Sequence, residues 1–501
     1  MGRQINKYTI GVCIFVAVGA WTYGFAFAIF IQAIGEPGFY AYFNLDPNSA
    51  YTASIEGAVN SLFAAGCAFG CIMQGLVGDW LGRKKTIILS QVLALVGGAL
   101  CAGAVNVAML VSTRFIQGLG LGQSLTLVSL YITEVANKNN RGLLNGLTAC
   151  GLATGYVVCS WSGFGTYFSK NEMVQFRLLL ALGVIGPIIT LAGIYWVPES
   201  PRWLAWQGRR DEAWEVLRKL HYDPIGDPNE EASQAEFQQI VLQVEHDKKE
   251  DVTFLKMFTV PSWRRRSLTA MFLLFATQAT GILSIGNFQL LLYQGLGFKN
   301  WLPLLFYCFY TLIGTAPNFL SSALMDRIGR RTLLLTGYIV ITVMLIIEMV
   351  LQKFYVSSTN KAGAAATVAF LWIYVGCYGF FLDPPQFVYV SEIFPTTLRA
   401  KGVALGFASY FLGAITFTTP AATAARTIGW KMYLVYVGLN VISIVLIYFF
   451  VPETKNLSLE EIGELFGDEV VVHLSEDGHR VVEAEKVDIS LVENRTCTAE
   501  A

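Results

Sequence analysis

Residues 75–85 read GLVGDWLGRKK, and residues 323–332 repeat the pattern as ALMDRIGRRT. In each stretch an aspartate, Asp79 or Asp326, is followed by a glycine and then by a basic pair. The two aspartates are 326 − 79 = 247 residues apart in a chain of 501 residues. Because glycine adopts positive φ angles without steric cost, each stretch predicts a tight turn between two helices.

Two further signatures return at nearly the same offset. The segment from Glu134 to Arg141 has the same internal spacing as the segment from Glu392 to Arg399, at an offset of 392 − 134 = 258 residues. The tripeptide PES at 198–200 returns as PET in the second half. Three signatures that recur at nearly one offset indicate a duplicated unit, which is the parallel repeat found in membrane carriers whose halves rock around a central site.

The composition places this duplicated unit in a membrane. Hydrophobic residues make up 54% of the chain and charged residues only 14%, and the mean hydropathy is +0.51. Soluble domains carry about 25% charged residues. Windows of about 19 residues, the length that crosses a bilayer, predict twelve apolar spans near 10–34, 53–77, 87–106, 109–132, 143–163, 177–197, 267–292, 301–324, 333–352, 365–390, 402–424 and 432–451.

We therefore predict an all-α membrane protein in which twelve transmembrane helices form two pseudo-symmetric six-helix bundles. Basic residues concentrate in the loops after even-numbered spans, so the positive-inside rule places both termini in the cytoplasm. The tail beyond about residue 468 lacks apolar periodicity and is predicted to be disordered. The predicted domains are an N-terminal bundle (1–197), a cytoplasmic helical linker (198–262), a C-terminal bundle (263–451) and a cytoplasmic C-terminal tail (452–501).

Several other classes of function find no support in the sequence. All four histidines lie in the linker or the tail, which excludes a histidine proton relay inside the membrane. No phosphate-binding Gly-x-x-x-x-Gly-Lys-Ser/Thr loop is present, which argues against an ATP-driven pump, and no nucleophile and base are paired as in an enzyme. Cys67 and Cys71 share a helical face, but two thiols make a weak metal site, so helix packing is predicted. No cofactor, metal or nucleic-acid partner is expected.

The repeated charges predict a gate at the cytoplasmic ends of the helices. A network of ion pairs that forms only when one side of the molecule is shut favours that closed state. The alternative is surface charge that sets the topology, although topology needs cations and not matched acids. The predicted gate residues are Asp79, Arg83, Glu134, Arg141, Asp326, Arg330, Glu392 and Arg399. An apolar helical face in the linker predicts docking beneath this gate, with a solvated connector as the alternative.

The ordered set of motifs resembles the major facilitator superfamily, and specifically its sugar porter family. The resemblance covers nearly the whole chain and rests on GDWLGRKK, RFIQGLGLGQSLTLVSLYITE (114–134), VPESPRWL (197–204), MDRIGRR, YVSEIFPTTLRAKG and PETKNLSLEEI. Fungal sugar transporters look most similar. The resemblance implies a secondary transporter, not an enzyme, that moves a sugar, a polyol or a similar small organic solute by alternating access. It also assigns Arg114, which matches a family position, to the gate.

The expected solute site departs from the sugar porter pattern. Where proton-coupled members carry an aspartate in span 1, this chain has Ala26, so the usual coupling carboxylate is missing. Gln278 is kept, but most other family amides are replaced, at Ala149, Thr277, Leu283, Gly314 and Ala414, and Phe387 replaces a tryptophan. A roomier and less polar cavity is expected. The predicted substrate-binding residues are Gln278, Asp383, Phe387, Asn287 and Thr277, with Gln289, Thr315 and Thr416 as further polar candidates.

The stretch FFLDPPQFVY (380–389) predicts a broken helix in the middle of span 10. Pro384 and Pro385 remove backbone donors, which is tolerated at membrane depth only where the backbone is buried in protein or lines a cavity. Asp383 is an intramembrane carboxylate, and such groups mark functional sites. It is predicted either to couple a proton or to recognise a cationic or hydroxylated group; the alternative is that it caps the broken helix. Glu348 is expected near the interface.

Three functions are compatible with these residues. The first is transport of a sugar or polyol, with a proton as a candidate co-substrate. The second is transport or export of a less polar secondary metabolite, and the third is a non-transporting nutrient sensor. The lipid bilayer is the expected surrounding, and the plasma membrane is the expected location.

Overall fold

The computed structural model describes ten stretches of the chain, namely residues 6–46, 49–137, 140–224, 227–248, 253–355, 360–455, 457–459, 461–467, 472–474 and 481–483. Within them, the N-terminal part forms α1 (Lys7–Ile34), α2 (Pro37–Phe43), α3 (Ala50–Leu81), α4 (Arg83–Ala102), α5 (Val107–Val135), α6 (Arg141–Tyr167), α7 (Glu172–Leu182), α8 (Ile185–Gly193) and a 3-10 turn, Ile194–Trp196. The linker region contains α9 (Pro201–Trp206), α10 (Arg210–Leu220), α11 (Glu231–Asp247) and α12 (Lys256–Thr259).

The C-terminal part repeats this plan. Its helices are α13 (Pro261–Ala279), α14 (Ile282–Asn287), α15 (Gln289–Gly295), α16 (Leu302–Ile328), α17 (Arg330–Tyr355), α18 (Lys361–Phe381), α19 (Asp383–Glu392), α20 (Thr396–Thr418), α21 (Ala421–Thr427) and α22 (Met432–Phe450), with 3-10 turns at Gly429–Lys431 and Glu461–Phe466. Two short antiparallel strands follow, β1 (Val472–Leu474) and β2 (Val481–Glu483). The prediction of a disordered tail is therefore wrong for these strands; the rest of the tail after residue 467 lies outside the described residues.

Twelve of the described helical segments are long and apolar enough to cross a membrane, as predicted. Numbered as spans 1 to 12, they are Lys7–Ile34, Ser54–Leu81, Arg83–Ala102, Val107–Val135, Arg141–Tyr167, Met173–Trp196, Pro261–Asn287, Leu302–Ile328, Arg330–Tyr355, Lys361–Glu392, Thr396–Thr418 and Gly429–Phe450. The predicted limits differ most for span 11, where Arg399 and Lys401 lie inside the helix and not in a loop. Hydropathy windows end at charges, whereas a helix continues through charges that find partners.

The turns predicted from the repeated aspartate motifs are each a single glycine. Gly82 joins spans 2 and 3 with φ 87°, and Gly329 joins spans 8 and 9 with φ 107°. A side chain at either position is also blocked by space, because a Cβ atom would lie 2.6 Å from Glu199 at Gly82 and 2.5 Å from Glu453 at Gly329. The same turn chemistry therefore builds the same helix pair in both halves.

Small residues let the spans pack closely, as is usual in membranes. A Cβ added at Gly122 of span 4 would lie 2.1 Å from the carbonyl oxygen of Cys67 in span 2. One turn further along, Cys71 donates to the Gly122 carbonyl oxygen at 3.4 Å. The two thiols thus take part in helix packing, and among the described residues three or more metal-binding side chains do not cluster.

Candidate functional site

Span 10 is interrupted at the predicted place. Helix α18 ends at Phe381, Leu382 adopts φ −115° and ψ −40°, and α19 begins at Asp383. Pro384 and Pro385 have no N–H group to donate to the preceding turn, so the regular hydrogen-bond pattern fails here. Every residue of α19 is buried, which shields the freed backbone carbonyls from lipid.

Asp383 lies at the start of α19 with 8% of its surface exposed. Its Oδ1 atom accepts a hydrogen bond of 3.0 Å from Nε2 of Gln386, and the same nitrogen lies 3.3 Å from the Tyr378 hydroxyl. In the part of the chain that the structure describes, neither an ion pair nor a capping bond to a backbone N–H is found for Asp383. The geometry does not support the capping alternative.

A cavity opens beside Asp383 between the two six-helix halves. Spans 1 and 5 line one wall, and spans 7, 8, 10 and 11 line the other. The side chains facing the space are mostly aromatic or apolar, and six are rings: Phe27, Tyr156, Tyr307, Tyr310, Tyr378 and Tyr410. The expectation of a less polar cavity agrees with this lining.

Three polar groups of the cavity wall have no hydrogen-bond partner among the described residues. They are the hydroxyl of Tyr310 and the side-chain carbonyl oxygens of Asn287 and Asn318. The Asn318 amide nitrogen donates to the Gly314 carbonyl at 2.9 Å, which leaves its oxygen available. Because a buried polar atom without a partner costs about 1–3 kcal/mol, such atoms point to a ligand that completes their hydrogen bonds.

The predicted substrate-binding residues divide into two groups. Asp383 and Asn287 line the cavity, whereas Gln278, Thr277 and Phe387 are not among its lining residues. The Thr277 hydroxyl donates to the Leu274 carbonyl of its own helix at 2.9 Å. Phe387 is fully buried and stacks on Phe407 with ring centroids 5.3 Å apart, so it forms the packed layer between the cavity and the gate.

The other polar candidates also divide. Thr315 lines the cavity, but its hydroxyl already bonds to the Ala153 and Thr311 carbonyls. Gln289 donates to the Tyr293 hydroxyl at 2.7 Å outside the lining, and Thr416 bonds to its own helix.

The comparison of this sequence with the amide positions of the family did not identify the tyrosines that line the cavity. Tyr307, Tyr310 and Gly314 follow one another at helical spacing on span 8, and all three line the cavity. The pattern i, i+3, i+7 on an apolar helix was the available signal, since it marks one face.

The gate residues of the first half form one buried cluster. The Arg83 guanidinium donates two bonds to the Glu134 carboxylate, at 3.0 and 2.7 Å, and a third to Asp79 at 3.2 Å. Arg83 and Glu134 are both nearly inaccessible to solvent. Bidentate, charge-assisted bonds of this kind are stronger than neutral ones and hold a fixed geometry. The matched spacing in the sequence therefore corresponds to a direct contact.

The second half repeats the cluster residue for residue. Arg330 donates to Glu392 at 3.2 and 2.9 Å and pairs with Asp326 at 2.8 Å. We call the end of the molecule that holds both clusters the gate end.

The repeated tripeptides PES and PET each contain a further gate residue, Glu199 and Glu453, that the sequence motifs had not identified. The Glu199 carboxylate accepts from the backbone N–H groups of Arg83 and Lys84, at 2.9 and 3.2 Å. Glu453 accepts from the N–H groups of Arg330 and Arg331 in the same way. Each acid caps the first turn of a span, where the helix dipole favours negative charge. Burial raises the pKa of Glu199 even though these N–H groups act in the opposite direction.

Contacts between the halves close the gate end. Asp326 accepts from the backbone N–H groups of Gly142 and Leu143, at 3.0 and 3.1 Å. Arg141 lies 3.9 Å from Glu392, and the Lys401 ammonium lies 3.3 Å from Asp79. Each of these pairs joins one half to the other.

A polar layer lies between the clusters and the cavity. Ser391 of span 10 accepts from Asn145 and Thr133 of the first half, at 2.7 and 2.8 Å. The gate end is therefore shut in this structure.

Arg399 and Arg114 differ in how they relate to the gate. Arg399 is fully buried at the gate end, where its Nε donates to the Phe394 carbonyl at 3.0 Å. Arg114 instead lies 134 − 114 = 20 residues before Glu134 on the same helix, about 30 Å away at 1.5 Å per residue. The structure therefore does not bring Arg114 into the gate.

The surroundings of Arg114 explain its burial in the membrane. Its guanidinium donates to the Ala26 carbonyl at 2.8 Å and to Gln117 at 3.0 Å. It also lies 4.1 Å from the ring centroid of Phe63, a cation–π contact. The position that carries the coupling aspartate in proton-coupled relatives thus offers Arg114 only a backbone oxygen.

Other contacts cross between the halves at the level of the cavity and beyond it, away from the gate clusters. The hydroxyls of Ser61 and Thr419 lie 2.7 Å apart, and those of Ser160 and Thr311 lie 2.8 Å apart. The Tyr23 and Phe411 rings meet edge to face with centroids 5.6 Å apart. The cavity is therefore flanked by inter-half contacts on both sides.

Two further acids lie outside the cavity wall. Glu348 is 1% exposed and accepts a hydrogen bond from Gln352 at 2.8 Å. It lies 355 − 348 = 7 residues before the end of span 9, and its position near the interface stays a prediction. Glu56 accepts from the Tyr40 hydroxyl at 3.0 Å away from the cavity.

The linker touches both halves, but through polar contacts and not through the predicted apolar face, whose Ile240 and Val244 cluster with Leu217 and other residues of the linker's own helices. Trp203 donates to the Asp79 carbonyl at 2.9 Å, and His221 lies 3.1 Å from the Val135 carbonyl at the end of span 4. Arg202 reaches Thr396 of the second half at 3.4 Å, and Gln239 reaches Ser458 at 3.5 Å.

Comparison with known proteins agrees with this architecture. Residues 12–466 match the family model described as "Sugar (and other) transporter". The chain is 32% identical to the MFS-type transporter criB of Aspergillus cristatus, over 84% of this chain and 87% of that protein. It is 29% identical to the major myo-inositol transporter IolT of Bacillus subtilis, over 83% and 86% of the two chains.

A solved structure shows the same fold. The proton:xylose symporter XylE of E. coli, bound to 6-bromo-6-deoxy-D-glucose, superposes with a TM-score of 0.81 at 22% identity, covering 92% of this chain and 100% of that chain. Members of the matched family are transporters and not enzymes. The duplicated halves, the paired gate clusters and the match over residues 12–466 lead to one conclusion: the chain belongs to the sugar porter family of the major facilitator superfamily.

Proposed function

We propose that the chain is an alternating-access carrier that moves a sugar, a polyol or a similar small hydroxylated solute through the central cavity. The observation that carries this proposal is a cavity between the halves whose wall holds groups on Asn287, Asn318 and Tyr310 that have no partner among the described residues. Hydroxyl groups of a solute would supply the missing hydrogen bonds. IolT is named for myo-inositol and XylE for xylose, and both solutes belong to this chemical class.

We further propose that the gate end faces the cytoplasm of a plasma-membrane protein. The support is the concentration of Arg and Lys at that end, together with the positive-inside rule. On this orientation the structure represents a state closed toward the cytoplasm, with 1–197 and 263–451 as the two rocking domains and 198–262 as the linker between them. Both termini then lie in the cytoplasm.

Proton coupling, if it occurs, requires a carboxylate other than the family's usual one. Ala26 cannot carry a proton, so the proposed carrier is Asp383, which lies in the cavity wall. Uptake of a neutral solute would then respond to a pH gradient and to Asp383→Asn.

A second candidate function is transport of a less polar metabolite. The six aromatic rings of the cavity favour it, because they bury apolar surface of a solute and need few hydrogen bonds in return. The relative criB is named only as an MFS-type transporter, and its name gives no sugar substrate.

The test is uptake of labelled glucose, fructose and polyols in a yeast host that lacks its own hexose carriers, with and without a protonophore. Uptake that survives the protonophore indicates facilitated transport, and uptake that collapses indicates proton symport. An Asn318→Ala variant at equal surface abundance should lower uptake, while the exposed control Glu215→Gln should not. No uptake of any sugar or polyol, with the protein at the membrane, contradicts the first function in favour of the less polar metabolite. Signalling without uptake would indicate the nutrient sensor.

A further inference from the structure

The cavity wall offers a solute three acceptor groups beside the hydroxyls of its tyrosines. The Asn287 and Asn318 side chains each present a carbonyl oxygen that has no partner among the described residues. The Asp383 carboxylate accepts from Gln386 and has room for further donors on the side that faces the cavity. A solute that brings hydrogen-bond donors can therefore satisfy these three acceptor groups.

The charge of Asp383 is not balanced by the residues around it. Its ionisable neighbours are the thiol of Cys150 and the phenols of Tyr156, Tyr378 and Tyr410, all of which are neutral groups at physiological pH. The described chain brings no Lys, Arg or His within ion-pair distance of Asp383. A buried carboxylate is stable only when it is paired or neutralised, so either a bound proton or a cation in the cavity has to balance this charge.

The rings beside Asp383 suit a positive charge as well. Tyr156, Tyr378 and Tyr410 line the same space, and the face of an aromatic ring attracts a cation by about 0.5–2 kcal/mol. A carboxylate surrounded by aromatic rings is the arrangement that recognises an ammonium group. A neutral hexose would gain hydrogen bonds here but would leave the carboxylate without a counter-charge.

We propose that the cavity selects small organic cations, namely solutes with a protonated amino group that pairs with Asp383 and with hydroxyl or aryl groups that reach Asn287, Asn318 and the tyrosines. This inference rests on the proposed function, since it names the substrate class of the same cavity. On this inference Asp383 pairs with the charge of the solute, and the proton transfer considered above becomes the alternative that the experiment separates from it.

The experiment compares an amine with its neutral analogue in proteoliposomes of the purified full-length chain. Labelled glucosamine and labelled glucose are offered separately at about pH 6, where the amine is protonated. A hydrogen-bonded charge pair contributes about 1.5–3 kcal/mol, so wild-type uptake should favour glucosamine by about 10- to 100-fold. Asp383→Asn should reduce this preference to less than about 3-fold. Glu348→Gln, which removes another buried acid outside the cavity, should leave the preference unchanged.

The outcomes separate the inference from the proposed function. Equal uptake of both sugars by the wild type overturns the inference and leaves carriage of neutral solutes standing. Loss of pH-driven glucose uptake in Asp383→Asn, without an amine preference in the wild type, also overturns it and makes Asp383 the proton carrier.

If neither sugar is moved, the proposed carriage of sugars fails, and binding decides the inference. Thermal stabilisation of the detergent-solubilised protein is then measured with tyramine and with 4-ethylphenol, which lacks the amine. Stabilisation by tyramine alone, lost in Asp383→Asn, supports the inference; equal shifts with both compounds, or none, overturn it.

Discussion

Gly142 sets the distance between the two halves at the gate end. Its backbone N–H donates to Asp326 of the other half at 3.0 Å. A Cβ atom at this position would lie 2.3 Å from the same carboxylate oxygen, which is closer than atoms can approach. The residue following Arg141 therefore has to be a glycine for the gate to close as it does.

Gly142→Ala is expected to weaken the closed gate. The methyl group would displace Asp326 from the N–H groups of Gly142 and Leu143, at a cost on the order of 1–3 kcal/mol for the lost charged hydrogen bonds. Uptake per molecule at the membrane should fall several-fold. Gly165→Ala on the same helix, where nothing lies within 4 Å of the new atom, is the control and should behave as wild type. Equal uptake by both variants would show that this contact does not govern the cycle.

Glu36 is the residue for which we expect a pH-dependent effect on stability. It lies beyond span 1 and is buried, with one oxygen 3.4 Å from the Thr166 hydroxyl. Burial raises the pKa of Glu36 to about 8. The folded protein therefore keeps the proton between about pH 4.5 and pH 8, where the unfolded chain releases it, so rising pH destabilises the fold across this window.

Glu36→Gln removes this titration because its side chain stays neutral. The melting temperatures of variant and wild type should agree near pH 4.5 and diverge as the pH rises to about 8, with the variant more stable. The exposed Glu215→Gln control should show no such divergence. A constant difference at all pH values would mean that Glu36 does not titrate in this range.

At the scale of the element, the break in span 10 couples the cavity to the gate. Asp383 lies at one end of α19 and Glu392 at the other, so a single ten-residue helix carries a cavity group and a gate group. Leu382 separates α19 from α18, and the two prolines leave the preceding carbonyls without backbone donors. The break allows α19 to move relative to α18 without unfolding either helix.

Replacing Pro384 and Pro385 together by alanine should straighten span 10. The new N–H groups can donate to the preceding turn, so we expect a higher melting temperature, because an interior proline costs a helix about 3 kcal/mol. Uptake should fall at the same time, since α19 loses its independent motion. Pro261→Ala, at the first turn of α13 where no break occurs, is the control. Increased stability with unchanged uptake would contradict a moving α19.

At the scale of the whole molecule, each half holds one copy of the same charge cluster, and members of the clusters contact the other half at the gate end. Arg83 with Glu134 and Arg330 with Glu392 are nearly superimposable in distances and burial. Removing one partner of a buried ion pair is costly, whereas an exposed ion pair contributes little to stability. Since contacts such as Asp326 with Gly142 form only in the closed state, the clusters bias the equilibrium between states.

Arg83→Ala and Arg330→Ala should each cut uptake while the protein still reaches the membrane. Removal of either guanidinium leaves a buried glutamate without its main partner, which destabilises the closed state by about 3–5 kcal/mol. Surface abundance and uptake are measured together. Arg210→Ala, which breaks an exposed pair with Glu245, should change neither. Normal uptake in both gate variants would contradict the role of the clusters as a latch.

The sequence by itself determined the spans, the duplication and the charge clusters. Spans follow from hydropathy because lipid requires long apolar helices, and the Asp79 and Asp326 motifs each encode a glycine turn locally. The pairing of Arg83 with Glu134 was readable as well, because matched acids and bases repeat at one offset.

Only the tertiary structure decided which side chains face the cavity. Thr277 and Phe387 were expected to bind the solute, yet the packing of their helices directs both side chains into the protein. Tyr310 and Asn318 face the space between the halves instead. Arg114 was assigned to the gate by family position. It lies 20 residues before Glu134 in span 4, and the rise of an α-helix places the two residues about 30 Å apart. Which face of a buried helix meets a cavity depends on its neighbours, and no local pattern contains that information.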